Sequence, residues 1–109
     1  MNEREAEIIS LSIGTSPSVI ARDDFYPGWR PANRGELASF AKKYHPARWY
    51  PEIFGIGDNI TPTIFGPHVP LFKALKRAVV SARYNPIRGL PQGTLVLFIK
   101  KDPNYFSGS

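Results

Sequence analysis

The fold of this chain depends on residues 70–101, which have the sequence PLFKALKRAVVSARYNPIRGLPQGTLVLFIKK. In the first half of this stretch, apolar side chains recur at the spacing of 3.6 residues that is typical of an amphipathic helix. These side chains are Leu71, Leu75, Ala78 and Ala82. Pro70 suits the first helical position, where its missing N–H costs nothing, and Asn85-Pro86 suits the end of a helix. The pattern therefore predicts a helix of about four turns.

The second half of the stretch predicts a strand. Residues 89–93, Gly-Leu-Pro-Gln-Gly, are typical of a turn, and residues 94–99 that follow are almost entirely apolar. A strand that is apolar on both faces is normally covered on both sides. We therefore expect residues 94–99 to take an inner position in a sheet.

Two further elements are predicted upstream. Ile9, Leu11 and Ile13 alternate with serines, which is the pattern of a strand with one face in the core. Asn33 followed by Glu36 is typical of a capping box, and it predicts a helix that ends before His45-Pro46. We expect the first strand to pair with the last one.

Together these elements predict an α+β fold: a small single domain, residues 1–109, with two helices packed on a short sheet. Eleven prolines and nine glycines interrupt the rest of the chain. We expect long irregular arms, rich in proline, glycine and aromatic residues, at about residues 14–33 and 46–69. The expected core consists of Leu11, Ile13, Leu37, Phe40, Leu71, Leu75, Ala78, Ala82, Leu95, Leu97 and Ile99.

Composition limits the classes of function. The chain has no cysteine, so a disulfide framework and a thiolate metal site are excluded. No apolar run has the length that a signal peptide or a transmembrane helix needs, which predicts an intracellular protein or a component of a virion or another assembly. The net charge of +5 is compatible with an acidic partner such as nucleic acid.

No group of residues predicts catalysis, a cofactor or a metal site. Asp23-Asp24 is more typical of a turn than of a metal site, because no other carboxylate stands at a fixed spacing from it. The two histidines, His45 and His68, lie next to prolines or one residue away from them, without the context of a catalytic pair. Residues 55–57, Gly-Ile-Gly, lack the following helix that a phosphate loop requires.

The remaining signals predict binding to other molecules. Large aromatic residues and arginines, the types enriched at interface anchors, form the first candidate group, which we expect to contact other protein chains or further copies of this one. This group is Trp29, Arg30, Arg48, Trp49, Tyr50, Phe54 and Phe65. The second group would form a basic face around the predicted C-terminal helix, for nucleic acid or an acidic partner. It consists of Lys73, Lys76, Arg77, Arg83 and Arg88.

The function predicted from the sequence is a non-enzymatic structural or accessory subunit of a larger assembly, such as a virion, a ribonucleoprotein or an organellar complex. One alternative is a nucleic-acid-binding module that uses the basic helix face. A second alternative is a small enzyme or an enzyme inhibitor, although no group of residues in the sequence supports it.

Overall fold

A computed structural model describes residues 5–22, 24–44, 51–57 and 67–101 of the chain. Its regular elements, over this part of the chain, are six strands and two short helices, and the last four elements are all strands. In chain order they are β1 (Ala6–Ser10), α1 (Pro17–Ile20), β2 (Trp29–Pro31), α2 (Arg34–Lys43), β3 (Glu52–Phe54), β4 (His68–Lys73), β5 (Ala78–Arg83) and β6 (Leu95–Lys100).

The six strands found in these ranges form one mixed sheet in the order β1-β6-β3-β4-β5, with β2 also paired to β6. β6 is antiparallel to β1 along one side. Along its other side it pairs with β3 in parallel and then with β2 in antiparallel orientation. The expected pairing of the first and last strands is thus present, and β6 has the inner position expected for residues 94–99.

The predicted fold class is wrong, because the sheet and not a pair of helices dominates this domain. The predicted helix over residues 70–85 is a β-hairpin in which β4 and β5 pair over six residues each. The turn between these strands, Ala74–Arg77, contains none of the usual turn residues. Arg77 adopts a left-handed backbone conformation there, with φ 51°. A prediction of turns from glycine, asparagine or proline therefore does not find this turn.

Pro70 lies inside β4, where proline normally removes a ladder hydrogen bond. The carbonyl of Pro70 accepts from Gly55 N–H at 3.0 Å, so the backbone of Pro70 faces the β3 side of the strand. Gly55 is one residue past the end of β3. The missing N–H therefore lies beyond the β3–β4 ladder, and the strand tolerates the proline.

Both faces of the sheet are covered by apolar side chains, and β6 contributes to both. Val96 and Phe98 belong to the first core, which includes residues of the loops after β1. Leu97 and Ile99 belong to the second core, which packs under α2. The successive residues of β6 thus point to opposite faces, and this explains why the strand is apolar throughout.

Five of the expected core residues are buried: Leu11, Leu37, Leu71, Leu97 and Ile99. Two expectations are wrong. Leu75 is 72% exposed because it lies in the hairpin turn, and Ile13 is 71% exposed because β1 ends at Ser10, before the alternating pattern ends.

The predicted capping box of α2 is confirmed. Asn33 Oδ1 accepts from Glu36 N–H at 2.8 Å, and Glu36 Oε1 accepts from Asn33 N–H at 3.0 Å. Lys42 and Lys43 occupy its last turn, where positive charge complements the helix dipole. Across the described ranges, no helix is long and apolar enough to span a bilayer.

Candidate interaction surface

The loop from Asn85 to Leu90, between β5 and β6, is organised by a single side chain. Asn85 Oδ1 accepts hydrogen bonds from Ile87 N–H at 2.8 Å and from Arg88 N–H at 3.0 Å. The carbonyl of Asn85 accepts from Gly89 N–H at 2.7 Å and closes the loop. These bonds form an Asx turn, in which the side chain of the first residue mimics a backbone carbonyl. The loop is consequently well defined at its tip.

The same loop is tied to the N-terminal part of the chain. Thr15 and Leu90 form an antiparallel bridge with bonds of 2.9 Å and 2.7 Å between their backbones. Gly89 has φ 71°, and a Cβ placed on it would collide with the carbonyl oxygen of Thr15. Only glycine fits such a close approach of two backbones. Leu90 is buried in the first core and anchors the bridge.

Three exposed apolar side chains lie close to this bridge. Ile87 is 93% exposed at the tip of the loop, Ile13 is 71% exposed, and Val19 of α1 is 41% exposed. Each is at most four residues from Thr15 or Leu90 along the chain, which places it within about 14 Å of the bridge. We call Ile13, Val19, Ile87 and the exposed Arg88 the bridge surface.

The bridge surface has the chemistry of a contact site for protein. It presents aliphatic side chains and one guanidinium group, with no carboxylate, imidazole or nucleophile among its four members. Its backbone is held by hydrogen bonds, so a partner that covers Ile87 would have little loop entropy to remove. Of the four members, only Arg88 is expected from the sequence to bind a partner.

The predicted anchor Trp29 packs within its own chain. Its ring stacks on Tyr26 with centroids 5.6 Å apart, and Tyr26 contacts Phe98 of β6 edge-on at 5.5 Å. Trp29 remains half-buried, as does Phe54, and both lie against the first core. The prediction that these residues also contact a partner stays a prediction.

Tyr26 links the aromatic stack to β1. Its hydroxyl donates to Glu7 Oε2 at 2.9 Å. This hydrogen bond raises the pKa of the Tyr26 hydroxyl above its ordinary value, and desolvation and the charge of Glu7 act in the same direction. Burial likewise raises the pKa of Tyr84.

Arg30 forms a bidentate ion pair with Glu36 of α2. Its two terminal nitrogens donate to the two carboxylate oxygens at 2.7 Å and 2.5 Å, and both side chains are largely shielded from water. Glu36 is also the carboxylate of the capping box. Arg30 therefore joins β2 to the start of α2, which gives this predicted partner residue a structural role inside the domain.

The basic residues predicted for nucleic acid do not share a helix face, because that helix is a hairpin. Lys76 and Arg77 are exposed in the turn and Lys73 is half-buried beside them. Arg83 lies at the far end of β5, and Arg88 is in the loop beyond it. At about 3.3 Å per residue, β5 separates the two groups by about 20 Å.

Four predicted partner residues, Arg48, Trp49, Tyr50 and Phe65, lie outside the described residues, as do Asp23 and His45.

The described ranges lack a cluster of metal-binding side chains. They contain no group of three or more acidic or histidine side chains that could hold a metal ion. A depression of about 520 Å³ lies between β3 and the start of β6, and Glu52 is the only titratable side chain among its lining residues.

Comparison of the chain with protein-family models, with curated proteins and with solved structures finds no match.

Proposed function

We propose that this protein is a non-enzymatic structural or accessory subunit, which binds other protein chains of a larger assembly through the bridge surface. The observation that carries the proposal is Ile87, a large apolar side chain that is 93% exposed on a loop held by an Asx turn and a backbone bridge. Covering such a side chain gains about 1.5–3 kcal/mol. A virion, a ribonucleoprotein or an organellar complex would provide a partner of this kind.

The distribution of exposed apolar residues supports the same proposal. Single exposed apolar side chains are ordinary on protein surfaces, whereas a contiguous apolar patch marks a contact site. The proposal is that Ile13, Val19 and Ile87, each within four residues of the bridge, form such a patch. Arg88 adds a residue type that is enriched at interface anchors. The fourth large exposed apolar side chain in the described ranges, Leu75, lies in the hairpin turn and provides a matched control.

The test compares Ile87→Ser with Leu75→Ser in the host cell. We expect the tagged wild-type chain and Leu75→Ser to elute with a large assembly when a native lysate is fractionated by size, and Ile87→Ser to elute free. Both substitutions are at exposed positions, so the free energy of unfolding should change by at most about 0.5 kcal/mol. Elution of the wild-type chain as a free monomer would contradict the proposal. Equal release of both variants would show that the bridge surface is not the specific contact with the assembly.

A second candidate function, nucleic-acid binding, is favoured by the three basic residues Lys73, Lys76 and Arg77 at the hairpin turn. Phosphate contacts by such residues are electrostatic and independent of sequence. Treating the same lysate with nuclease separates the two functions. Release of the wild-type chain by nuclease would favour nucleic acid, whereas continued elution with the assembly would favour protein partners.

A further inference from the structure

The two outer strands of the sheet expose complementary edges. Among the described residues, β5 pairs with one strand, β4, and β1 pairs with one strand, β6. Backbone groups alternate in direction along an antiparallel ladder, so every second residue of an edge strand points its N–H and C=O outward. Such an edge is a template for pairing with another strand unless the protein protects it.

The hydrogen bonds show which residues of β5 point outward. Tyr84 N–H donates to Pro67 O at 3.3 Å, which places the even-numbered residues of this strand towards β4. The outward residues are therefore Val79, Ser81 and Arg83. β5 contains no proline. No other strand of the described chain lies against its outer side.

The backbone of β1 alternates in the same way. Lys100 N–H donates to Glu5 O and Leu11 N–H donates to Thr94 O, each at 2.9 Å, so odd-numbered residues face β6. The outward residues of β1 are Ala6, Ile8 and Ser10. Each edge thus has three residues, at every second position, whose backbone N–H and C=O point outward. The two edges match in length.

The charges at the two edges are opposite. Glu5 and Glu7 lie at the start of β1, and both are exposed. Glu5 pairs with Lys100 of β6 at 3.6 Å, and Glu7 accepts a hydrogen bond from the neutral Tyr26 hydroxyl and keeps its negative charge. Lys76 and Arg77 precede β5 and Arg83 ends it, all three exposed. A pairing of two β5 edges would bring these like charges together, which costs free energy. A pairing of β5 with β1 of another molecule brings unlike charges together.

We propose that copies of this chain associate head to tail, with the β1 edge of one molecule continuing the sheet at the β5 edge of the next. The inference rests on the proposed function, since it supplies the contact by which a structural subunit would repeat. Such an interface is heterologous, so it produces a ring if the rotation closes and an open filament if it does not. Unlike-charge attraction also implies that salt weakens the association.

Two exposed serines allow a direct test. Ser10 and Ser81 both direct their backbone N–H outward, so Ser10→Pro removes a donor from the β1 edge and Ser81→Pro removes one from the β5 edge. The controls are Ser10→Ala and Ser81→Ala, which keep the backbone donor. Both Ser81→Pro and Ser81→Ala lose the hydrogen bond that Arg34 Nη2 donates to Ser81 Oγ at 2.8 Å, so comparing these two variants isolates the backbone donor. The measurement is the mass of the purified chain by light scattering after size exclusion, over a range of protein and salt concentrations.

Head-to-tail pairing predicts a specific pattern of masses. The wild type and both alanine variants should form species larger than a dimer as concentration rises, and salt should reduce their size. Each proline variant alone should be a monomer. An equimolar mixture of the two proline variants should form a dimer and nothing larger, because one intact β1 edge remains for one intact β5 edge.

Other outcomes overturn the proposal. A wild type that stays monomeric at all concentrations excludes it. A dimer of Ser10→Pro alone would indicate β5–β5 pairing, and a dimer of Ser81→Pro alone would indicate β1–β1 pairing. If proline prevents folding, as circular dichroism would reveal, Glu7→Arg and Arg83→Glu replace it. Each of these should weaken association alone, and mixing them should restore it.

This test is independent of the bridge surface. Ile87→Ser should self-associate like the wild type, since Ile87 is on neither edge strand. A wild type that elutes with the assembly in the lysate but stays monomeric when purified would mean that the head-to-tail contact alone fails. A purified wild type that self-associates, but whose elution with the assembly is unaffected by Ile87→Ser, would mean that the bridge surface alone fails.

Discussion

β6 and β5 are strands of equal length in the same sheet, yet they are used in opposite ways. β6 has neighbours on both sides and contributes Val96 and Phe98 to one core and Leu97 and Ile99 to the other. β5 pairs with one strand among the described residues, and none of its six side chains is fully buried. In the described structure, buried apolar contacts are therefore concentrated at the centre of the sheet and are fewer at its β5 edge.

The largest effect that tests this comparison is expected from a truncation in β6. Phe98 is fully buried, and Phe98→Ala should lower the free energy of unfolding by about 3–5 kcal/mol. Val80→Ala in β5 removes two half-buried carbon atoms and should cost about 1 kcal/mol. Urea denaturation of both variants provides the measurement. Equal losses would mean that β5 is as integral to the core as β6.

An intermediate effect is expected in the loop that joins the two strands. Gly89→Ala introduces a residue at φ 71° and a Cβ that collides with the backbone of Thr15. We expect a loss of about 2–4 kcal/mol, the sum of a left-handed conformation and overpacking.

Gly28 is the matched control for Gly89, since it has φ 87° and no atom lies within 4 Å of the position that a Cβ would occupy. Gly28→Ala should cost only the conformational part, about 1–2 kcal/mol. Thermal unfolding of the two variants measures the difference between them. If they lose equal stability, the bridge between Thr15 and Leu90 does not hold the loop.

The smallest effect concerns the pH dependence of the β1–β6 side of the sheet. The pKa of Tyr26 is raised in the folded protein, so its contribution to stability is present below its ordinary pKa of 10.0 and is lost as pH rises through the folded value. Tyr26→Phe should therefore remove part of the decline in stability above pH 10, measured by chemical denaturation at several pH values. If the free energy of unfolding of Tyr26→Phe and of the wild type falls equally above pH 10, the hydrogen bond from Tyr26 to Glu7 is not maintained in solution.

The parts of the fold that the sequence predicts are those where local signals and tertiary contacts agree. The apolar run of β6 follows a glycine-rich turn, and its neighbours explain its composition. The start of α2 depends on Asn33 and Glu36, which are three residues apart and need no distant partner. The alternation at Ile9 and Leu11 indicates a strand, although it extends the predicted strand too far towards Ile13.

The β4–β5 hairpin is not predicted because its sequence suits a helix as well. Ala74, Leu75 and Lys76 are good helix formers, and the left-handed residue of the turn is an arginine. Val79 and Val80 are β-branched, which favours a strand, but the regular spacing of leucine and alanine is the stronger local signal. Pairing with β3 and packing on both sheet faces override that local preference.

The bridge surface is only partly predictable. Asn85-Pro86 with Gly89 is a turn signal, and it indicates an Asx turn once a helix is excluded. The exposure of Ile87 and Ile13 depends on the bridge between Thr15 and Leu90, which are distant in the sequence. No local sequence pattern at Thr15 or Leu90 predicts this bridge. The aromatic stack of Tyr26 and Trp29 also forms only through β6.

The central position of β6 has a consequence for biosynthesis. β1, β2 and β3 all pair with residues 95–100, and the β1–β6 ladder joins residue 6 to residue 99. The ribosome makes the N-terminal strands first. β1, β2 and β3 therefore lack their common partner β6 until nearly the whole described sequence has been made. Contacts between such distant residues form slowly because closing long loops costs entropy. Until then β1 is an unpaired strand, so a newly made chain would depend on rapid completion or on chaperones to avoid aggregation.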